Sequence, residues 1–174
     1  MRNPSWSTST VSRRAAVVGL GALGLGSRFG SAAAQEATPT PNPDGVSGEV
    51  LGVDLPTSVP PMELAVRRTT IAPGGGLPPH GHPGAIMFAV DAGTWGYTPL
   101  GGTIRVMRAA VDGTPTPVEE PPLGVELILT KGDALFAEGS HDEMRNAGED
   151  DVVLLMSALT PVGEDFQTDG TPVP

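Results

Sequence analysis

The stretch GGGLPPHGHPGAIMFAVDAG, residues 74–93, decides how this chain folds. Its second half alternates: Ile86, Phe88 and Val90 fall on one side and Met87, Ala89 and Asp91 on the other, the period of a half-buried strand. Its first half carries His80 and His82, one residue apart. In an extended backbone both side chains leave the same face, so two imidazoles can converge on one ion. The sequence holds only three histidines, and the third, His141, sits in GDALFAEGSHDEMRNAGED, residues 132–150.

Working outward, the chain between residues 46 and 161 reads as strands. Residues 48–55, 63–72, 85–98, 102–111, 124–138, 142–148 and 151–160 are each rich in β-branched or apolar residues and bounded by Gly, Pro, Asp or Asn. No stretch sustains apolar spacing at three and four over the length of a helix. Short strands with Gly/Pro turns predict one all-β domain, a sandwich or closed barrel of about eight strands. In residues 63–72 the alternation slips, which predicts a bulge or a crossing between sheets. With two Trp, one Tyr and four Phe in the whole sequence, the core must be mainly Leu, Val, Ile and Met.

The ends read differently. Residues 1–34 have a basic start, a short Gly-interrupted apolar run and a small-residue end, the layout of an export signal. The Arg13–Arg14 pair after Ser12 and the weakly apolar core favour the twin-arginine type, with a general secretory signal as the alternative. Cleavage after Ala34 is expected, giving a periplasmic, cell-wall or extracellular protein with no membrane span left. Residues 35–45, rich in Pro and Thr, read as a disordered spacer, and residues 162–174 as a flexible tail that Phe166 could pin in part. Four of the ten basic residues lie before residue 35 and none of the twenty acidic ones do, so the remainder carries six against twenty. That field disfavours nucleic acid and anionic membranes. The absence of Cys excludes disulfides, thiolate ligands and Cys nucleophiles.

The spacing around the histidines resembles the cupin family, small β-barrels of the double-stranded β-helix type, and in particular its small single-domain type-2 members. The family's first motif places Gly, five residues, H-x-H, three or four residues, Glu, six residues and Gly. This sequence has Gly74, His80, His82, Ile86 and Gly93 at those positions, with Pro83-Gly84 after the second histidine. Ile86 stands in the glutamate slot. The second motif opens G-D and ends G-x-x-H-x-x-x-N, and here Gly132-Asp133, Gly139, His141, Asp142 and Asn146 follow it. Counting four back from Asn146 reaches Asp142 rather than His141, Ala137 replaces the usual Pro, and the motif is one residue short.

The resemblance implies a metal held by His80, His82 and a third group, either His141 or Asp142. Register decides between the last two, since neighbours on a strand face opposite ways. A bulge after Gly139 would turn His141 inward, and a register set by Asn146 would turn Asp142 inward. Three imidazoles suit several ions, while two imidazoles and a carboxylate are the set associated with non-haem iron. The cofactor expected is thus a single divalent ion (Fe, Zn, Ni, Cu or Mn), with a metal-free polar pocket as the alternative. Ile86, Phe88, Trp95 and Tyr97 are read as pocket-lining, with core packing the alternative for Trp95 and Tyr97. Catalytic residues are not assigned, because the sequence shows no nucleophile motif and no second base. The function expected is an exported module binding a small molecule, possible homodimer included, or else a metal-dependent enzyme of dioxygenase, isomerase or decarboxylase type. The acidic stretches at 118–122 and 149–151 fit solvated turns better than calcium loops.

Overall fold

The computed structural model describes residues 44–112, 114 and 116–169. The expected export signal, all but the last two residues of the expected spacer and residues 170–174 of the expected tail lie outside the described residues. What is described is all β. Nine strands follow in chain order: β1 (Val46–Asp54), β2 (Met62–Ile71), β3 (Gly76–Ala92), β4 (Thr94–Met107), β5 (Val118–Glu119), β6 (Leu127–Thr130), β7 (Ala134–Asn146), β8 (Val152–Pro161) and β9 (Thr168–Asp169). The hydrogen-bonded order is β1-β2-β8-β3-β7-β4-β5, with β6 on β4 and β9 on β3, and every pairing is antiparallel. No helix among the described residues is long and apolar enough to cross a membrane.

The two longest strands differ from the sequence reading. A single strand was expected over 85–98, but the chain turns at Gly93, which has φ 78°. A side chain there would run into the backbone of Asp151 and Val152, so glycine lets β3 end and β4 leave toward a different partner. β3 also starts earlier than expected, at Gly76, and takes in both histidines. Its prolines sit where the ladder is interrupted: the register with β7 shifts between Leu77 and His80 and again between His82 and Ala85. The expected strand over 124–138 likewise breaks after Thr130. At that turn the Asp133 carboxylate accepts the Thr130 and Ala109 amides at 2.9 and 2.8 Å.

β2 carries no bulge. Its register with β8 runs unbroken from Met62↔Pro161 to Ile71↔Val152, and the irregularity falls in β1 between Val50 and Gly52. The alternation looked slipped because Ala65, Arg67, Thr69 and Ile71 occupy the inner side, while Leu64 and Val66 are exposed on the outer one.

The core is aliphatic, as the composition requires, around one aromatic group: Phe88 lies 5.3 Å from Trp95 and Trp95 5.1 Å from Tyr97 between ring centroids. All three rings are fully buried. Asn146 locks the end of β7. Its amide donates to the Ile71 and Asp150 carbonyls at 2.9 and 2.8 Å, and its carbonyl accepts the Gly148 amide at 2.8 Å. This buried side chain is thus satisfied on both ends.

Candidate metal centre

β3 turns His80 and His82 to the inside, where they are almost completely buried, and Gly81 between them faces the other side of the strand, where His141 and Thr168 cover it. Facing them, β7 pairs Asp142 with His80 and Ser140 with His82. Counting inward by twos from the locked Asn146 gives Met144, Asp142 and Ser140, all buried. The change of phase on β7 comes upstream, at Glu138 and Gly139, where both residues are exposed and Gly139 has φ 53°. The bulge therefore falls before His141 and leaves Asp142 inside. His141 lies on the opposite face, with its ring over the outer side of Gly81. The structure gathers His80, His82 and Asp142 and leaves His141 out.

One ligand atom from each of the three lies within 4.8 Å of the other two, and among the described residues no other group of acids and histidines meets that condition. His80 Nδ1 is 2.8 Å from the Pro78 carbonyl oxygen, and His82 Nδ1 is 2.9 Å from that of Phe166. A carbonyl only accepts, so each Nδ1 carries the proton and each Nε2 presents a lone pair. On Asp142, Oδ2 accepts from the Tyr97 hydroxyl and from Ser140 Oγ, both at 3.2 Å. The three remaining atoms, His80 Nε2, His82 Nε2 and Asp142 Oδ1, are buried without a hydrogen-bond partner.

Three buried lone-pair donors facing one another are costly unless a positive charge lies among them. His80 Nε2 and Asp142 Oδ1 stand 3.4 Å apart. A proton on His80 would relieve that pair and still leave His82 Nε2 bare. A divalent ion relieves all three. The second nitrogen of each imidazole held by a carbonyl, and the second carboxylate oxygen held by hydroxyls, is the supporting arrangement that orients metal ligands. The donor set therefore fits a metal.

Burial is the main cause holding the His82 pKa below the ordinary imidazole value; Asp142 and the Phe166 carbonyl oppose it, and the charges of His80 and His141 add to it. The unfolded chain takes up a proton near pH 6.5, whereas buried His82 resists it. In metal-free protein, this contribution to stability is whole above that pH and is lost as pH falls toward the lowered folded value. Melting temperature measured on chelated protein from about pH 7.5 to about pH 5.5 should fall, and His82→Phe should flatten that slope.

Of the residues expected to line a pocket, Phe88 does so. It shares with His82 a cavity of about 260 Å³. Ile86, Trp95 and Tyr97 are packed into the core instead, since their strand positions point inward below the site, and Tyr97 reaches the centre only through its hydroxyl. Burial and the Asp142 carboxylate push that hydroxyl's pKa well up, so it stays a donor. Sequence reasoning missed Ser140, which its place two before Asp142 on one face could have shown. It also missed the roles of Pro78 and Phe166. The presumed loose tail lays β9 against His80 and Gly81, and Phe166 sets its ring 4.9 Å from that of His82. Nothing local in the sequence announces a contact across 84 residues.

No family model matches the sequence, and no curated protein does. Solved structures do. An RmlC-like cupin from Shewanella frigidimarina is 18% identical, with TM-score 0.50, 80% of this chain and 96% of that one covered. An uncharacterised protein with a double-stranded β-helix domain from Klebsiella pneumoniae is 16% identical, with TM-score 0.50 and coverage of 76% and 91%. A chain from structures of DMSP lyases is 16% identical, with TM-score 0.48 and 72% of this chain covered. This chain spans about half, 53%, of that lyase's length. At these identities the likeness shows the fold, the cupin double-stranded β-helix.

Proposed function

We propose that this cupin-fold chain binds one divalent transition-metal ion through His80, His82 and Asp142 and a small molecule in the adjoining cavity. The observation that carries the reading is the set of three buried, unpartnered ligand atoms aimed at one another. Two imidazoles and one carboxylate suit Fe(II) and related ions. A bound ion with three protein ligands would supply Lewis acidity and open positions for an oxygen donor. The chain's own residues do the rest: the Pro78 and Phe166 carbonyls hold the imidazole tautomers, Tyr97 and Ser140 hold the carboxylate, and Phe88 walls the cavity beside His82.

The metal-dependent enzyme, of dioxygenase, isomerase or decarboxylase type, is the second reading. What favours it is that one residue of the cluster, His82, also lines a cavity of about 260 Å³. Export belongs to the same proposal and is supported by the Arg13–Arg14 pair and the small-residue end of residues 1–34. Folded export would suit a protein loaded with metal before leaving the cell. Exposed Val50, Leu51 and Val53 on the edge strand β1 support a homodimer through that edge.

Full-length protein purified without chelator or affinity histidines should contain about one ion per chain by elemental analysis. The His80→Ala/His82→Ala variant should contain none. Chelation should lower the melting temperature of the parent and not of the variant, because binding to the folded state alone stabilises it. Metal-free parent protein that cannot be reloaded, with a melting point indifferent to chelator, would defeat the metal reading.

A further inference from the structure

β2 brings an arginine to the wall of the cavity. Arg67 and Arg68 are adjacent, so they face opposite ways. Arg68 points out and pairs with Glu49 at 3.1 Å. Arg67 points in, between Ala65 and Thr69, and lines the same cavity as His82 and Phe88. Its guanidinium carbon lies 4.2 Å from the centre of the Phe166 ring, a cation–π contact. Its Nε is buried with no hydrogen-bond partner, and among the described residues no carboxylate comes within ion-pairing distance of it. Glu63 acts on Arg67 only through its field. A guanidinium keeps its charge in proteins and presents five N–H donors in a planar fork. Held over an aromatic ring and without a protein acceptor among the described residues, that fork lacks the partner its chemistry calls for.

We propose that this cavity is a carboxylate-binding site, in which Arg67 grips a small organic acid whose other end lies against the His80–His82–Asp142 cluster. The inference deepens the metal reading and rests on it only for the end of the ligand next to His82. The lining identifies the ligand class. Arg67 is the cavity's only cationic side chain, the lining's one carboxylate, Glu49, is paired with Arg68 at 3.1 Å, and no lysine backs the guanidinium, which suits one carboxylate better than a phosphate dianion. The remaining walls include Val46, Leu77, Phe88, Met144 and Met156, apolar surface for a short carbon skeleton. The volume of about 260 Å³ limits that skeleton to a few carbons, since one water occupies roughly 30 Å³ of liquid. Phe166 joins the two halves of the site: its ring lies under Arg67 and its carbonyl fixes His82.

Calorimetric titration with butyrate, with its neutral isostere butyramide and with inorganic phosphate tests this on chelated and on Co(II)-loaded full-length protein. Butyrate should bind both forms, and about tenfold or more better than butyramide. Arg67→Met should erase that preference while keeping its metal content, and Arg67→Lys, which keeps charge and stem, should retain only part of it. The Lys variant carries the same comparison if the Met variant does not fold. Equal binding of butyrate and butyramide, butyrate binding unchanged in both variants, or tighter binding of phosphate than of butyrate would overturn the proposal. Arg67-dependent butyrate binding in protein that takes up no metal would sustain the carboxylate site and defeat the metal reading. Stoichiometric Co(II) without any Arg67-dependent preference would do the reverse.

Discussion

Asp142→Asn is expected to lower the affinity for a divalent ion by about a hundredfold or more, whereas His141→Ala should leave it within about twofold. The asparagine keeps the shape of the side chain and an oxygen to accept from Tyr97 and Ser140, which now lie 3.2 Å from Asp142 Oδ2. What it loses is the anionic oxygen directed at His80 and His82. An amide nitrogen in that place has no lone pair to give. His141 lies on the far side of β7, with its ring over Gly81, and gives the centre no ligand atom. The two variants have a second readout of opposite sign. In chelated protein, Asp142→Asn removes a fully buried charge whose Oδ1 has no partner, so it should leave the melting temperature unchanged or raise it. In loaded protein it should lower it. Titration with Co(II) and thermal melts with and without chelator check both. An affinity that falls for His141→Ala and stays for Asp142→Asn would mean that β7 sits one residue out of the register described.

The largest loss of stability is expected from Phe88→Ala, about 3–5 kcal/mol in chemical denaturation. Against a typical total of about 5–15 kcal/mol, that leaves little of the folded state in reserve. Phe88 is fully buried at the junction of the aromatic core and the candidate site: Trp95 and Tyr97 lie 5.3 and 6.5 Å away and His82 6.3 Å. The flanking strands are tied to β7 and β8 by their ladders and cannot close over the space a phenyl ring leaves. Phe88→Leu, which retains much of the volume, should cost about 1–2 kcal/mol and still bind metal. A loss below about 1 kcal/mol for the alanine variant would show that the core collapses around the site more easily than close packing allows.

Much of the fold was legible because a strand writes its two faces into the sequence. Ile86, Phe88 and Val90 announce β3, and the apolar run after Asp151 announces β8, whose inner positions Val152, Leu154, Met156 and Ala158 are buried. Strand ends were less legible. The turn at Gly93 looks like continued strand because strand-like residues flank it on both sides, and only the close approach of Asp151 shows why glycine is there. The prolines at 78, 79 and 83 hid the first half of β3, since they suit a strand only where the ladder breaks. Nothing in the adjacent Arg67–Arg68 pair says which of the two faces inward.

By itself the sequence determined the all-β class and the shared face of His80 and His82, because side-chain direction along a strand is a local, two-residue rule. Its resemblance to the cupin motifs narrowed the third partner to His141 or Asp142. Only the tertiary structure decided for Asp142. That choice depends on where the phase of β7 changes, which is fixed by the ladders to β3 and β4 and by the lock at Asn146. It alone brought Tyr97, Phe166 and Arg67 to the site, since contacts between distant strands follow from inter-strand register and chain return, and neither is written in any one segment.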